Sequence, residues 1–247
     1  MTPIQQLMLG AGSKKDPVYI DDLFSTYVYT GNDTARTISN GLNLTTEGGL
    51  VWVKDRDNSS RDNFLTDTET GANKQLYSNG NDAQASSTNL ITGFTSSGFT
   101  LGTDFKVNNN ATKFASWSFR KAKGFFDIVT YSGTGSKRTV SHSLGCKPGM
   151  IMIKRTDQAG DNWDVWVEAA GPYGGSGDDW SHLVLNSNNW ATSTSRFGIA
   201  GTDDPTSTTF TVKDQSGVNA SGGEYIAYIF AGGESDAATA RSVDFDG

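Results

Sequence analysis

Tyr27-Val28-Tyr29-Thr30-Gly31, followed by Thr37-Ile38-Ser39-Asn40-Gly41-Leu42, returns 102 residues later as Val129-Thr130-Tyr131-Ser132-Gly133 and Thr139-Val140-Ser141-His142-Ser143-Leu144. Working outward, Gly49-Leu50-Val51-Trp52-Val53-Lys54 matches Gly149-Met150-Ile151-Met152-Ile153-Lys154 at an offset of 100. Gly98-Phe99-Thr100-Leu101 matches Thr209-Phe210-Thr211-Val212, and Phe114-Ala115-Ser116-Trp117-Ser118-Phe119 matches Tyr225-Ile226-Ala227-Tyr228-Ile229-Phe230, both at 111. Five blocks in one order, with length changes only between them, point to tandem duplication of a unit of about 100 residues, an ordinary domain size.

Within the blocks the apolar period is two. Phe114, Ser116 and Ser118 share one face of a strand, and Ala115, Trp117 and Phe119 the other. Leu50-Val51-Trp52-Val53 and Ile151-Met152-Ile153 are unbroken apolar runs, suited to central strands covered on both faces. Turn clusters such as Thr30-Gly31-Asn32-Asp33 and Ser132-Gly133-Thr134-Gly135 separate these strands, and no helical apolar stripe occurs. The expectation is an all-β fold of two tandem β-sandwich, jelly-roll-like modules, each closing its own core, over residues 24–124 and 125–233. Residues 1–23 stand outside the duplication as an N-terminal arm with Ile4, Leu7, Met8 and Leu9 as its apolar side. Residues 234–247 are expected to be a linker and a strand without a partner in this chain.

Composition narrows the function classes. The formal net charge is −7, which disfavours a non-specific grip on nucleic acid or on an anionic membrane. The single cysteine, Cys146, excludes an intramolecular disulfide framework and a Cys-based zinc site. The N-terminus lacks the basic start and apolar run of a signal peptide, and no stretch is long and apolar enough for membrane insertion, so cytoplasmic synthesis without classical export is expected.

Catalytic chemistry finds little purchase. There are 2 histidines; His142 stands where the first module has Asn40, which reads as a polar turn position. The aspartates fall in Asn/Ser/Gly loops without a calcium-loop pattern, and no phosphate-binding loop occurs. The reading is therefore of a protein that is not an enzyme and uses no metal or cofactor. Aromatic-rich loops offer the better clue: Tyr173, Trp180, His182 and Trp190 lie among Asp and Asn side chains and form a candidate ligand or glycan face. Trp163 and Trp166 alternate like core strand residues and are weighed equally as core.

The stretch from Phe125-Phe126-Asp127-Ile128-Val129 through Lys147-Pro148-Gly149-Met150-Ile151-Met152-Ile153-Lys154-Arg155 resembles a module of marine bacteriophage virion proteins often called tail-fibre-like. Module one and Met1-Thr2-Pro3-Ile4-Gln5-Gln6-Leu7-Met8-Leu9-Gly10 resemble the same proteins, so the likeness covers nearly the whole chain. In that family a concanavalin-like or laminin-G-like sandwich often follows, and Ser242-Val243-Asp244-Phe245-Asp246-Gly247 is similar to its first strand. The resemblance implies a location on the virion, on the tail or particle surface. It implies a homotrimer docked on other tail or capsid proteins through the arm, with host-surface glycan as a possible ligand. A capsid or tail decoration or adaptor protein is the alternative, and a tail-associated glycan depolymerase a more distant one. The family carries no assigned catalytic residues to transfer.

Overall fold

The computed structural model describes residues 18–174, 178–188 and 196–232, and the backbone of Ser242–Val243. The described residues form an almost entirely antiparallel β structure, in which helix is confined to single turns.

The first module contains a large sheet with the spatial order β2 (Phe24–Thr30), β10 (Lys113–Arg120), β4 (Gly49–Asp55), β5 (Asn63–Asp67), β6 (Lys74–Tyr77), β7 (Ala85–Ser86). Packed on it is a small sheet of β3 (Arg36–Ser39), β9 (Gly98–Leu101) and β8 (Ile91–Thr95). The second module repeats this plan. Its large sheet runs β11 (Phe126–Ser132), β17 (Glu224–Ala231), β13 (Pro148–Arg155), β14 (Asp164–Val167), β15 (His182–Val184), and its small sheet is β12 (Arg138–Ser141) with β16 (Thr209–Val212). The order β2-β10-β4-β5-β6 is thus that of β11-β17-β13-β14-β15, strand for strand, as the sequence blocks require.

The period of two decides what each strand buries. In module one, Val51, Val53, Phe64 and Phe114 face Ile38, Phe99 and Leu101 of the small sheet. In module two, Ile151, Ile153, Ala227 and Ile229 do the same with Val140, Phe210 and Val212.

The opposite faces of the two large sheets meet each other. Leu50, Leu65 and Leu76 of module one share a third core with Phe126, Ile128, Met152, Trp163, Val165, Ile226 and Tyr228 of module two. Each copy does close an interior of its own, but the expectation that only loops and an arm are left for contacts is corrected: a sheet face of each copy packs against the other. The unbroken apolar runs are covered on one side by their own small sheet and on the other by the sister module, completely for Ile151-Met152-Ile153 and only in part at Trp52. Each large side chain fully buried there stabilises the joined form by about 1.5–3 kcal/mol. Polar groups at the seam are paired across it: Trp163 Nε1 donates to Tyr77 O at 2.8 Å, and Tyr228 Oη to Asp67 Oδ2 at 2.9 Å.

A second correction concerns the chain ends. Ser242–Val243, expected to lack a partner, forms β18 and pairs antiparallel with β1 (Val18–Tyr19).

The duplication extends to individual hydrogen bonds. The turns α1 (Phe105–Asn108) and α2 (Ser216–Asn219) end on asparagines that are 0% exposed. Asn108 Oδ1 accepts from Asn32 N and its Nδ2 donates to Thr34 O; Asn219 Oδ1 accepts from Thr134 N and its Nδ2 donates to Ser136 O. Beside them Tyr29 Oη donates to Val107 O and Tyr131 Oη to Val218 O, at 2.8 and 2.7 Å. Gly31 and Gly133 occupy matching positions where a Cβ would come 2.0 Å from the carbonyl oxygens of Asn109 and Ala220, so only glycine fits.

Candidate functional site

The residues expected to form a ligand face are not brought together on the surface. Tyr173 is exposed, on the loop between β14 and β15. Trp180 is turned inward by backbone bridges from Pro172 to Trp180 and from Asp179 to Ile199. Its ring lies edge-on to Trp166 at 5.2 Å between centroids, and its Nε1 donates to Asp204 Oδ1. His182 is also buried, opposite Trp166 in the β14–β15 pairing. Trp180 and His182 are therefore corrected from a stacking surface to the core of module two, where apolar contact outweighs the acidic loop that flanks them. Trp190 and the arm residues Ile4, Leu7, Met8 and Leu9 lie outside the described residues. Trp163 and Trp166 are both fully buried, in the seam and the module core respectively.

His182 belongs to a buried polar cluster. Asp164 occupies the place of Phe64 in module one, and its Oδ1 lies 3.0 Å from Arg196 Nε and 3.6 Å from His182 Nε2. Gly217 presses against it so closely that a Cβ would sit 2.2 Å from Asp164 Oδ2. Burial raises the Asp164 carboxyl to about 6, against the pull of Arg196. Burial, with the positive Arg196 second, lowers His182 to about 4. Near neutral pH the cluster is thus an ionised Asp–Arg pair beside an uncharged imidazole.

The other histidine has a backbone role. Leu144 N donates to His142 Nδ1 at 3.2 Å, as Leu42 N donates to Asn40 Oδ1 at 3.2 Å in module one. His142 also borders a cavity of about 410 Å³ at the module junction, with Glu47, Lys121, Lys123 and Asp127 on its walls. Charge there is matched internally, since Lys121 Nζ lies 2.5 Å from Glu69 Oε1 and 3.6 Å from Asp127 Oδ1. The loop aspartates also serve the backbone: Asp55 Oδ1 accepts from Asp57 N and Asn58 N, and Asp67 Oδ1 from Glu69 N and Thr70 N.

The aromatic surface lies instead on module one, and the sequence reading missed it. Trp52 and Trp117 are directly opposed in the β4–β10 pairing, on the sheet face that looks toward module two. Both are half-buried, with centroids 6.2 Å apart and rings inclined at 68°. With Phe119, Lys54 and Asn63 they line a groove of about 360 Å³. Lys54 Nζ donates to Arg61 O at 2.9 Å and has no ion pair among the described residues. Asn63 is held by its backbone N–H to Asn79 Oδ1, while its own Oδ1 has no hydrogen-bond partner. The signal that could have found the groove is the pair of tryptophans on the alternating face that reads apolar in both modules.

Comparison with known proteins returns no match among curated sequences and none among solved structures. A family model does match, over residues 20–236, a span that takes in both modules and the seam between them. The chain accordingly belongs to DUF7483, a family described as a domain of unknown function.

Proposed function

We propose that this chain is a structural and attachment protein of a bacteriophage particle, holding the particle through its N-terminal arm and presenting the duplicated body to the host surface. Its work is binding, not catalysis. The observation that carries this reading is the Trp52–Trp117 groove, an aromatic surface open to solvent on a body whose two histidines are both packed inside. Exposed apolar concavities rimmed by polar groups mark interaction sites. The resemblance of the repeat and of residues 1–10 to tail-fibre-like virion proteins supplies the location and the expectation of a trimer. The face-to-face modules support it as well, since one shared apolar core gives a stiff block suited to projecting a binding surface.

Deleting residues 1–20 tests the attachment. The expected outcome is a body that folds with native circular dichroism but is absent from purified particles. Normal incorporation of the truncated protein would refute the anchoring role. Release of reducing sugar from host envelope polysaccharide by the purified protein would replace binding with depolymerisation.

A further inference from the structure

The duplication supplies its own control for the groove. At the offsets of the repeat, Trp52 corresponds to Met152, Trp117 to Tyr228 and Asn63 to Trp163. In module two all three are 3% exposed or less and lie in the seam. In module one their counterparts are half-exposed. The sheets are therefore packed off-centre: module two buries this patch against its sister, whereas in module one Trp52 and Phe119 pack only partly against the shared core and Trp117 stays half-buried at its rim. Two indoles remain on the part that is not covered, where large aromatic rings are costly to leave wet unless something stacks on them.

The polar groups around them are also unspent. Asn63 Oδ1 is a buried acceptor without a partner, and its amide nitrogen, which makes no hydrogen bond among the described residues, is the group left to meet a ligand. Lys54 uses one of its three N–H donors on Arg61 O and faces no carboxylate in an ion pair. In a chain of net charge −7 this ammonium has no carboxylate paired with it among the described residues. Protein–protein interface cores are depleted in lysine. A small concave groove with an aromatic floor, a free amide and an unpaired ammonium instead matches a ring that has an apolar face, hydroxyls at its edge and a negative group.

We infer that the groove formed by Trp52, Trp117, Phe119, Lys54 and Asn63 is a saccharide site that takes a carboxylate-bearing pyranose. The ring stacks on the indoles, Asn63 bonds a hydroxyl, and Lys54 meets the carboxylate. The inference rests on the attachment reading for its biological setting. Its test uses isolated protein, so sugar binding and particle incorporation can fail independently.

The chain has 6 tryptophans, and each gives one indole N–H signal in a nitrogen–proton correlation spectrum. Titration with oligogalacturonate is expected to move the Trp52 and Trp117 signals saturably, with maltohexaose of equal length binding about ten-fold more weakly. Trp117→Ala should abolish binding, Asn63→Ala should weaken both sugars, and Lys54→Met should level the acidic and neutral series. Tyr173→Ala, which changes an exposed ring remote from this sheet face in sequence, should bind as the native protein does. Should Trp117→Ala not fold, Lys54→Met and Asn63→Ala carry the test. The idea is overturned if neither sugar shifts these signals at millimolar concentration, if Tyr173→Ala loses as much as Trp117→Ala, or if maltohexaose binds equally well. It is also overturned if Trp117→Ala changes the oligomeric state by light scattering while no sugar binds, since the groove would then be covered by a second copy.

Discussion

Asp164 and His182 sit side by side with opposite responses to acid. Asp164 has an ordinary value of 3.8 and a folded value of about 6, so its contribution to stability is fully present below pH 3.8 and is lost as pH rises through 6. His182 has an ordinary value of 6.5 and a folded value of about 4, so its contribution is present above pH 6.5 and is lost as pH falls through 4. The two occupy the same pH window with opposite sign, so their sum changes little between pH 4 and 6.5. Single substitutions separate them: His182→Gln should make the protein more stable at pH 4.5 than at pH 6.5, and Asp164→Asn less stable. Urea unfolding at the two pH values reads both, and like slopes in the two variants would remove the pairing.

Residues also show where sequence reading stops. His142 was legible as a turn residue because Asn40 stands at the same place in the other copy, and the two accept the same backbone N–H. Trp180 was not, because Asp178, Asp179 and nearby glycines give the composition of a surface loop. What overrides composition there is a set of isolated backbone bridges that fold the loop back onto Trp166, and such long-range bridges leave no periodic signal.

At the scale of elements, each module closes its strand-to-turn connection with one buried asparagine. The amide is the right group because the site presents a backbone N–H on one side and carbonyls on the other; Asn108 Nδ2 donates to Gly102 O as well as Thr34 O. A carboxylate can accept but not donate, so Asn108→Asp or Asn219→Asp keeps the bond from the backbone N–H but turns a buried negative charge on carbonyl oxygens, and should destabilise more than the alanine variants, which bury no charge. The alanine changes should cost about 1–3 kcal/mol each by urea denaturation. Equal stability of the Asp and native forms would mean that the amide is not bonded as described. The strands themselves were readable from period-two blocks, and the sheet order follows from them. The partner of the second apolar face was not readable, because alternation states that a face is buried without naming what lies on it.

For the whole molecule, the central feature is the seam. Leu50, Leu65 and Leu76 of module one are buried in one apolar cluster with Met152, Trp163 and Tyr228 of module two. The modules should therefore unfold together, as one calorimetric transition with equal van't Hoff and calorimetric enthalpies. Met152→Lys, which places a charge in this contact, should lower the midpoint and split or broaden the transition. A native-like single peak in that variant would show the modules to be energetically independent.

The pairing of β1 with β18 brings residues 18–19 and 242–243 side by side. Tension applied at the two ends would not run along a string of beads. It would fall first on a ladder only two residues long and peel that open before it reached the longer strands of the double block. Such a clasp yields early and reversibly, sparing the tightly packed interior from mechanical shock.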